Sequence, residues 1–574
     1  LLNAGNGIVS TLTVSNSTLS GNSATGTFGL GGGIYNDFIG TVTVRNSTLT
    51  GNSALDGGGI YNGIGTVTVS DSTLSGNSAT ESEYYNANGG AIYTSGTVTV
   101  TGSTLSGNAA SGDGGGIYNR GVNPVWTVTV AGSTLSGNTA AGSGGGIANS
   151  GTLTITGSTL SGNSASGSLD RSYGGGGIYN DNYGTVTVSN STLSGNSATG
   201  SGYYNGNGGA ISNFGTVTVT GSTLSGNSAF VSGGGIYAYM YFNRVTLTNV
   251  TLTANRATNG GGLYVYFPTP TAAPVLHNTL IAGNFRGATG TTRDDVYGRL
   301  DPGGDYNLIG DGTGMTGISH GVNGNLVGSA SSPIDPLLGP LQDNGGPTQT
   351  MALLAGSPAL NAGDPAQLGV ADQRGVVRTG GVNIGAYQAS ASALRLSAPD
   401  TVTAGMPFDV TVTAVDLFGL PAVGYTGTVT FGTSDADPGV VLPADYAFTL
   451  IDGGTHRFTD TGRGETTLVT PGPQMLTVMD TADNAIAGSA NVTVSAAPAP
   501  APPGQRPPPS PSPASSAQAE PPPRSEPAAN AVTPAEQWLS WFQDGDSAWL
   551  TVARLKHQAL RQTDLALTEQ IDWA

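Results

Sequence analysis

The sequence predicts an all-β protein. It reads as a right-handed parallel β-helix of about ten coils with a C-terminal cap, then an immunoglobulin-like β-sandwich, a proline-rich linker and a short helical tail. Three observations carry the β-helix. A twelve-residue phrase close to T-V-T-V-S-N-S-T-L-S-G-N recurs, with its leucine at Leu19, Leu49, Leu74, Leu105, Leu135, Leu160, Leu193 and Leu224, then more loosely at Leu252 and Leu280. The intervals of 25 to 33 residues belong to stacked architectures, in which no repeat buries its own apolar face alone. A second phrase, G-G-G-I-Y-N, lies between the copies at 31–36, 57–62, 114–119 and 175–180.

Residues 1–276 form the array. Thr41-Val42-Thr43-Val44 alternates strictly, which on β-branched residues is a half-buried strand with Val42 and Val44 inward. Ser47 to Thr50 is a second short strand with Leu49 inward, and Gly58 to Tyr61 a third with Ile60 inward. Three short strands per repeat make one coil. Gly51-Asn52 and Gly76-Asn77 supply turns, since both residue types tolerate positive φ. Asn52, Asn77, Asn108 and Asn138 are expected to stack as an internal amide ladder. The repeats lack the several leucines of a leucine-rich repeat, and a propeller blade needs four longer antiparallel strands.

Residues 277–390 keep one more coil at Asn278 to Ile281 and then lose the period, as expected of a segment covering the open end. Residues 391–496 carry alternating strands such as Phe408 to Thr413, Thr426 to Phe431 and Gln474 to Val478, the pattern of a sandwich. Residues 497–532 are Pro, Ala and Ser, an extended linker expected to be disordered. From Thr533 to Ala574 an amphipathic helical tail is predicted, opened by Thr533-Pro534-Ala535-Glu536. Trp538, Trp541, Trp549 and Trp573 lie in it, either docking on a protein partner or sealing a hairpin. The chain begins at Leu1, inside a repeat and without methionine, and reads as a fragment or processed product.

Composition narrows the partners. A net charge of −18 with a single lysine, Lys556, argues against nucleic acid and anionic membranes. No apolar run approaches the ~20 residues that span a bilayer as a helix. Cysteine is absent, so the core must hold without disulfides. The cell envelope, or an extracellular polysaccharide or protein surface, is the expected partner.

Two resemblances follow. Gly89-Gly90-Ala91-Ile92 and Gly208-Gly209-Ala210-Ile211, with strands ending in Asn, resemble the repeat of polymorphic outer-membrane proteins. The companion motif of that family starts with Phe, where this chain has Leu-Ser-Gly-Asn, and the family carries a C-terminal barrel not recognised here. Farther on, Asp305 to Gly310, Asp335 to Leu341, Asp343 to Thr348, Gly356 to Ala359, Asp372 to Gly375 and Asn383 to Tyr387 are similar, in order, to the choice-of-anchor Q domain. That resemblance implies a secreted or surface-displayed bacterial β-helix protein of the pectin-lyase-like fold and no known activity. The family's usual anchors, a Leu-Pro-x-Thr-Gly signal or a Pro-Glu-Pro motif with an apolar helix, are missing here. Residues 391–496 resemble bacterial surface immunoglobulin-like repeats.

Chemistry is sparse. Polysaccharide lyases need an acidic calcium cluster with a basic residue, and hydrolases need paired carboxylates. Asp37, Asp56, Asp71, Asp113 and Asp181 fall in different coils, Asp170-Arg171 and Glu81/Glu83 in loops, and all four histidines outside the regular coils. No sheet face is expected to gather Asp, Lys or Arg, so no enzyme is predicted. Asp294, Asp295, Asp301 and Asp305 are the calcium candidates, although Asp beside Gly and Pro is first of all turn chemistry; no other cofactor is implied. Asn16, Asn46, Asn190 and Asn249 open sequons that chance explains in so Asn- and Ser-rich a chain.

Two outward ladders remain. Tyr35, Tyr61, Tyr93, Tyr118, Tyr179, Tyr237 and Tyr264 align, broken by Ala148 and Ser212, and either stack on sugars or cover neighbouring coils. Thr11/Thr13, Thr41/Thr43, Thr66/Thr68, Thr97/Thr99, Thr127/Thr129, Thr152/Thr154, Thr185/Thr187 and Thr216/Thr218 hold one offset from the coil leucine. Their Thr-x-Thr face resembles the ice-binding face of β-solenoid antifreeze proteins, while the plainer reading is that threonine suits exposed strands. The function expected is structural or adhesin-like at the cell surface. The alternatives are polysaccharide binding or cleavage, and, behind these, ice binding.

Overall fold

The structure, a computed structural model, describes the chain except residues 4–9, 27–28, 81–86, 122–125, 170–171, 203–204, 241–243, 267–272, 460–465 and 498–574. Glu81, Glu83, Asp170, Arg171, His557, nearly all of the linker and the whole Trp-rich tail therefore lie outside the described residues.

The array is a parallel β-solenoid. Ten T-V-T-V strands, from Thr11–Ser15 to Val275–His277, form one sheet. Twelve strands centred on the coil leucine form a second, from Thr18–Ser20 to Leu326–Val327. Twelve I-Y-N strands form a third, from Leu2–Asn3 to Met315–Thr316. Three strands per coil were expected, but a fourth sheet of nine strands runs from Ser53–Ala54 to Phe285–Arg286. Each of its strands is two residues long with one inward side chain, too short for a period of two to register. Val42, Val44, Leu49, Ala54 and Ile60 are all buried, so the inward assignments hold and the alanine adds a fourth inward column.

The corners are polar inside, and the asparagine ladder beside the leucine strands is fully paired. The Nδ2 of Asn77 donates to Leu49 O at 2.9 Å and to Asn108 Oδ1 at 3.0 Å, while its Oδ1 accepts from the backbone and side chain of Asn52. The same bonds repeat through Asn284, so the expected ladder is present and no buried amide of it lacks a partner. Of each Gly-Asn pair only the glycine is left-handed, as at Gly51 with φ 62°. The asparagine is instead turned inward, because its amide is worth more in the ladder than at the turn. A second ladder runs through Asn3, Asn36, Asn62 and Thr94, and again through Asn119, Asn149, Asn180 and Asn213. A serine column, Ser47, Ser72, Ser103 and Ser133, accepts the backbone N–H of the preceding coil at the third corner.

Glycine is required twice in the G-G-G phrase. Gly57 has φ +64°, and a Cβ on Gly58 would sit 2.5 Å from the carbonyl oxygens of Gly90 and Ser78. The third position has more slack and accepts Ala91 and Ala210.

Residues 277–390 differ from the expected end cover. The stack does not stop at 276: Leu280–Ile281, Val296–Arg299, Leu308–Ile309, Met315–Thr316 and Leu326–Val327 continue the leucine and I-Y-N sheets. Later residues of this segment lie back along the outer face of the leucine sheet. Thr192 Oγ1 donates to Gln349 O, Thr223 Oγ1 to Gln373 Oε1, and Ala386 N to Thr251 Oγ1. The physical reason is apolar. The outward threonine of this sheet becomes Leu280 and then Leu308, which bury against Leu353, Leu360, Ile384 and Tyr387.

Residues 393–495 form a β-sandwich. Ala393–Ser397, Val410–Val415 and Thr455–Phe458 make one sheet, and five strands including Thr428–Thr433, Gly472–Asp480 and Ala487–Ser495 the other. Val412, Val429, Leu468, Leu476, Val478 and Val492 fill the space between them. The three strands read from the sequence here fall on strands of the structure.

Candidate functional site

The threonine face is the most regular outward surface. Thr41, Thr66, Thr97, Thr127, Thr152, Thr185 and Thr216 fall in one column and Thr43, Thr68, Thr99, Thr129, Thr154, Thr187 and Thr218 in a second, directly opposite one another across parallel strands. None is buried. A third column, unnoticed in the sequence, continues the face with Ser70, Thr101, Ala131, Thr156, Ser189 and Thr220. Arg45 is the one charge in these three columns between coils 41 and 220. Columns within a strand lie ~6.6–7 Å apart and neighbouring strands ~4.8 Å, which gives an uncharged grid of hydroxyls and methyls.

The tyrosine column is stacked on itself. Ring centroids lie 5.4 Å apart for Tyr35–Tyr61, 4.9 Å for Tyr61–Tyr93 and 5.7 Å for Tyr237–Tyr264. Near Ser212 the loop residue Tyr173 stacks on Tyr179 at 5.7 Å and Phe214 packs edge-on to both, so aromatic contact continues where the column breaks. Burial pushes the phenol of Tyr61 up to about 12 and raises those of Tyr118 and Tyr179 too. These ring faces are spent on neighbouring coils, which favours covering over sugar stacking.

The four calcium candidates are each engaged separately. Asp301 accepts from Gly303 N in a turn. Asp305 pairs with Nδ1 of His277, whose Nε2 lies 3.0 Å from Asp364. Asp294 accepts from Arg286 Nε at 3.1 Å and Gly260 N at 3.0 Å. Asp295 ends the asparagine ladder: its Oδ1 takes both N–H donors of Asn284 and its Oδ2 takes Asp311 N at 2.7 Å. An asparagine there would set an NH₂ against Asp311 N–H, so an acceptor on both sides requires aspartate. Among the described residues no three His, Asp or Glu gather as a metal site.

Burial pushes the Asp295 carboxyl up to about 6, against the three N–H donors and the charge of Arg293. The folded state therefore holds this proton more tightly than the unfolded chain. Its contribution is fully present below about 4 and lost as pH rises through about 6. Wild type is expected to lose stability relative to Asp295→Asn over that window, measured as the difference in melting temperature at pH 4 and pH 6.5. A constant difference would refute the assignment.

Other array carboxylates bond from one coil to the next. Asp56 accepts from Asn88 N at 2.7 Å, Asp113 from Ser143 N at 2.5 Å and Asp181 from Ser150 Oγ at 3.1 Å. Burial raises Asp56 and Asp113. Asn16, Asn46, Asn190 and Asn249 hold left-handed turns before the leucine strand, which explains those sequons structurally.

Two constellations escaped the sequence reading. Arg256, Arg286 and Arg293 do gather at one sheet end around Phe285, contrary to the expectation that no face collects charge. Aligning the S-A phrase would have found it, since Ser228 is followed in register by Arg256 and Phe285. The second is the buried Arg374, which donates to Asp372 and Asp416.

Residues 71–95 and 102–120, spanning the strands just described, match the Chlamydia polymorphic membrane protein repeat. The similarity is to a membrane-protein repeat and covers two adjacent stretches of the solenoid. No curated protein and no solved structure matches the chain.

Proposed function

We propose that this is a secreted or surface-displayed bacterial protein with a structural, adhesin-like role and no catalytic activity. The observation that carries the reading is the match of residues 71–95 and 102–120 to a membrane-protein repeat, within a solenoid one of whose outward faces is a hydroxyl grid. The choice-of-anchor Q resemblance belongs to the same reading. Its Asp372-Gln373-Arg374 and Asn383-Ile384 stretches supply the side chains that hold residues 344–390 on the solenoid and sandwich, as Gln373 does at Thr192 and Thr223. The sandwich is read as an immunoglobulin-like spacer. Antibody labelling and protease shaving of intact cells that express the full gene test this, and signal only after lysis would overturn it. Sugar release from acidic polysaccharides would replace it with the carbohydrate-cleaving alternative.

A second reading is favoured by one observation, the unbroken register of the threonine columns over at least seven coils. Such a flat, uncharged lattice fits the ice surface. Thermal hysteresis that vanishes in Thr127→Lys/Thr129→Lys is the expected result under this reading. Absence of hysteresis at high protein concentration removes it and leaves the structural role standing.

A further inference from the structure

The alanine sheet changes character at its C-terminal end. Its outward column reads Ser78, Ala109, Thr139, Ser164, Ser197 and Ser228, all small, and then Arg256 and Phe285. The Arg256 guanidinium lies 4.8 Å from the Phe285 ring centroid and that of Arg293 6.0 Å. Arg286 pairs with Asp294 and the charge of Arg293 acts on Asp295, but Arg256 makes no ion pair among the described residues. Arg256 donates once, to Gly290 O at 2.7 Å, out of the five N–H donors of its fork. In a chain with 36 acidic and 18 basic residues, a cation on an aromatic ring with no ion pair among the described residues is an unspent binding capacity.

Beside them runs a groove of about 270 Å³ lined by Thr199, Ser228, Phe230, Arg256 and Thr258. Phe230, 59% exposed, puts its ring at this groove beside Arg256. The groove falls below the ~300–1,000 Å³ of pockets that enclose a small molecule, and so suits a segment of a polymer lying across the sheet.

We infer that this groove binds an anionic sugar residue of an extracellular polysaccharide. The Arg256 fork takes the carboxylate through paired N–H donors, and Arg293 adds field. Phe230 offers a flat apolar face to the C–H side of the sugar ring. Thr199, Ser228 and Thr258 supply hydroxyls for those of the sugar. An acidic peptide would use the charge but leave the ring and hydroxyls idle. This deepens the adhesive reading by naming its ligand class, and it involves no bond cleavage.

The test is titration of the full chain with polygalacturonate oligosaccharides, alongside neutral dextran and polyglutamate. Binding to polygalacturonate is expected to weaken with salt. It should weaken about tenfold or more in Arg256→Gln, the loss of a charge-assisted hydrogen-bond pair. Phe230→Ala, at an exposed position, is expected to weaken it several-fold with an unchanged circular dichroism spectrum, and it carries the test if Arg256→Gln misfolds. Arg395→Gln, remote on the sandwich, is expected to bind as wild type. Equal affinity for dextran or polyglutamate, or wild-type affinity in both groove variants, overturns the inference. Surface labelling is a separate readout, so the adhesive role and the glycan site can fail independently.

Discussion

Arg374→Met is expected to destabilise the protein by about 3–5 kcal/mol, because it leaves two buried carboxylates without their cation. Arg374 is fully buried, as are its partners Asp372 and Asp416. Its guanidinium donates to Asp372 Oδ2 at 3.1 Å, Asp416 Oδ2 at 2.7 Å, Asn344 O at 3.1 Å and Gln388 O at 2.7 Å. The ring of Tyr387 lies 3.8 Å from its Cζ. Asp416 belongs to the sandwich and the other partners to the segment that lines the solenoid, so one side chain ties the two together. A melt monitored by circular dichroism should shift strongly downward. The triple variant with Asp372→Asn and Asp416→Asn should recover part of the loss, since it removes the uncompensated charges. A melt unchanged by Arg374→Met would show that the network contributes nothing.

Leu135→Asp should cost several kcal/mol by a different route. Leu135 is fully buried, in register with Leu105 on one side and Leu160 on the other. A carboxylate there has no donor, and must be protonated or must open the coil to water. Because this coil is stacked between its two neighbours, a breach in mid-stack weakens both halves. Loss of β-signal or a much lower melting temperature is the expected outcome, with Thr134→Asp, exposed on the same strand, as the neutral control. Equal melts for the two variants would mean that the inward and outward faces are misassigned.

The period, the alternation of Val and Thr, and the asparagine after each leucine turn are local signals, and by themselves they determined the solenoid, its inward columns and the amide ladder. They act through neighbours one coil away, and the repeat writes that neighbour into the sequence. The threonine face was legible for the same reason: constant offset from Leu135 becomes constant register in space. The two-residue Ser-Ala strands were not, because one inward alanine carries too little pattern. What only the tertiary structure decided lies where the repeat ends. The lining of the leucine sheet joins Thr192 to Gln373 across 181 residues, and Arg374 joins Asp416 across 42, contacts that no periodicity encodes. The calcium candidates dispersed because each carboxylate found nearer donors, Asn284 for Asp295 and His277 for Asp305. The arginines dispersed in sequence came together at Phe285 because stacking set Arg256 beside it and a strand bridge brought in Arg293. Chemistry that depends on which coil lies above which is settled by repeat lengths of 25 to 33 residues, whose variation falls in the loops and leaves the strands in register.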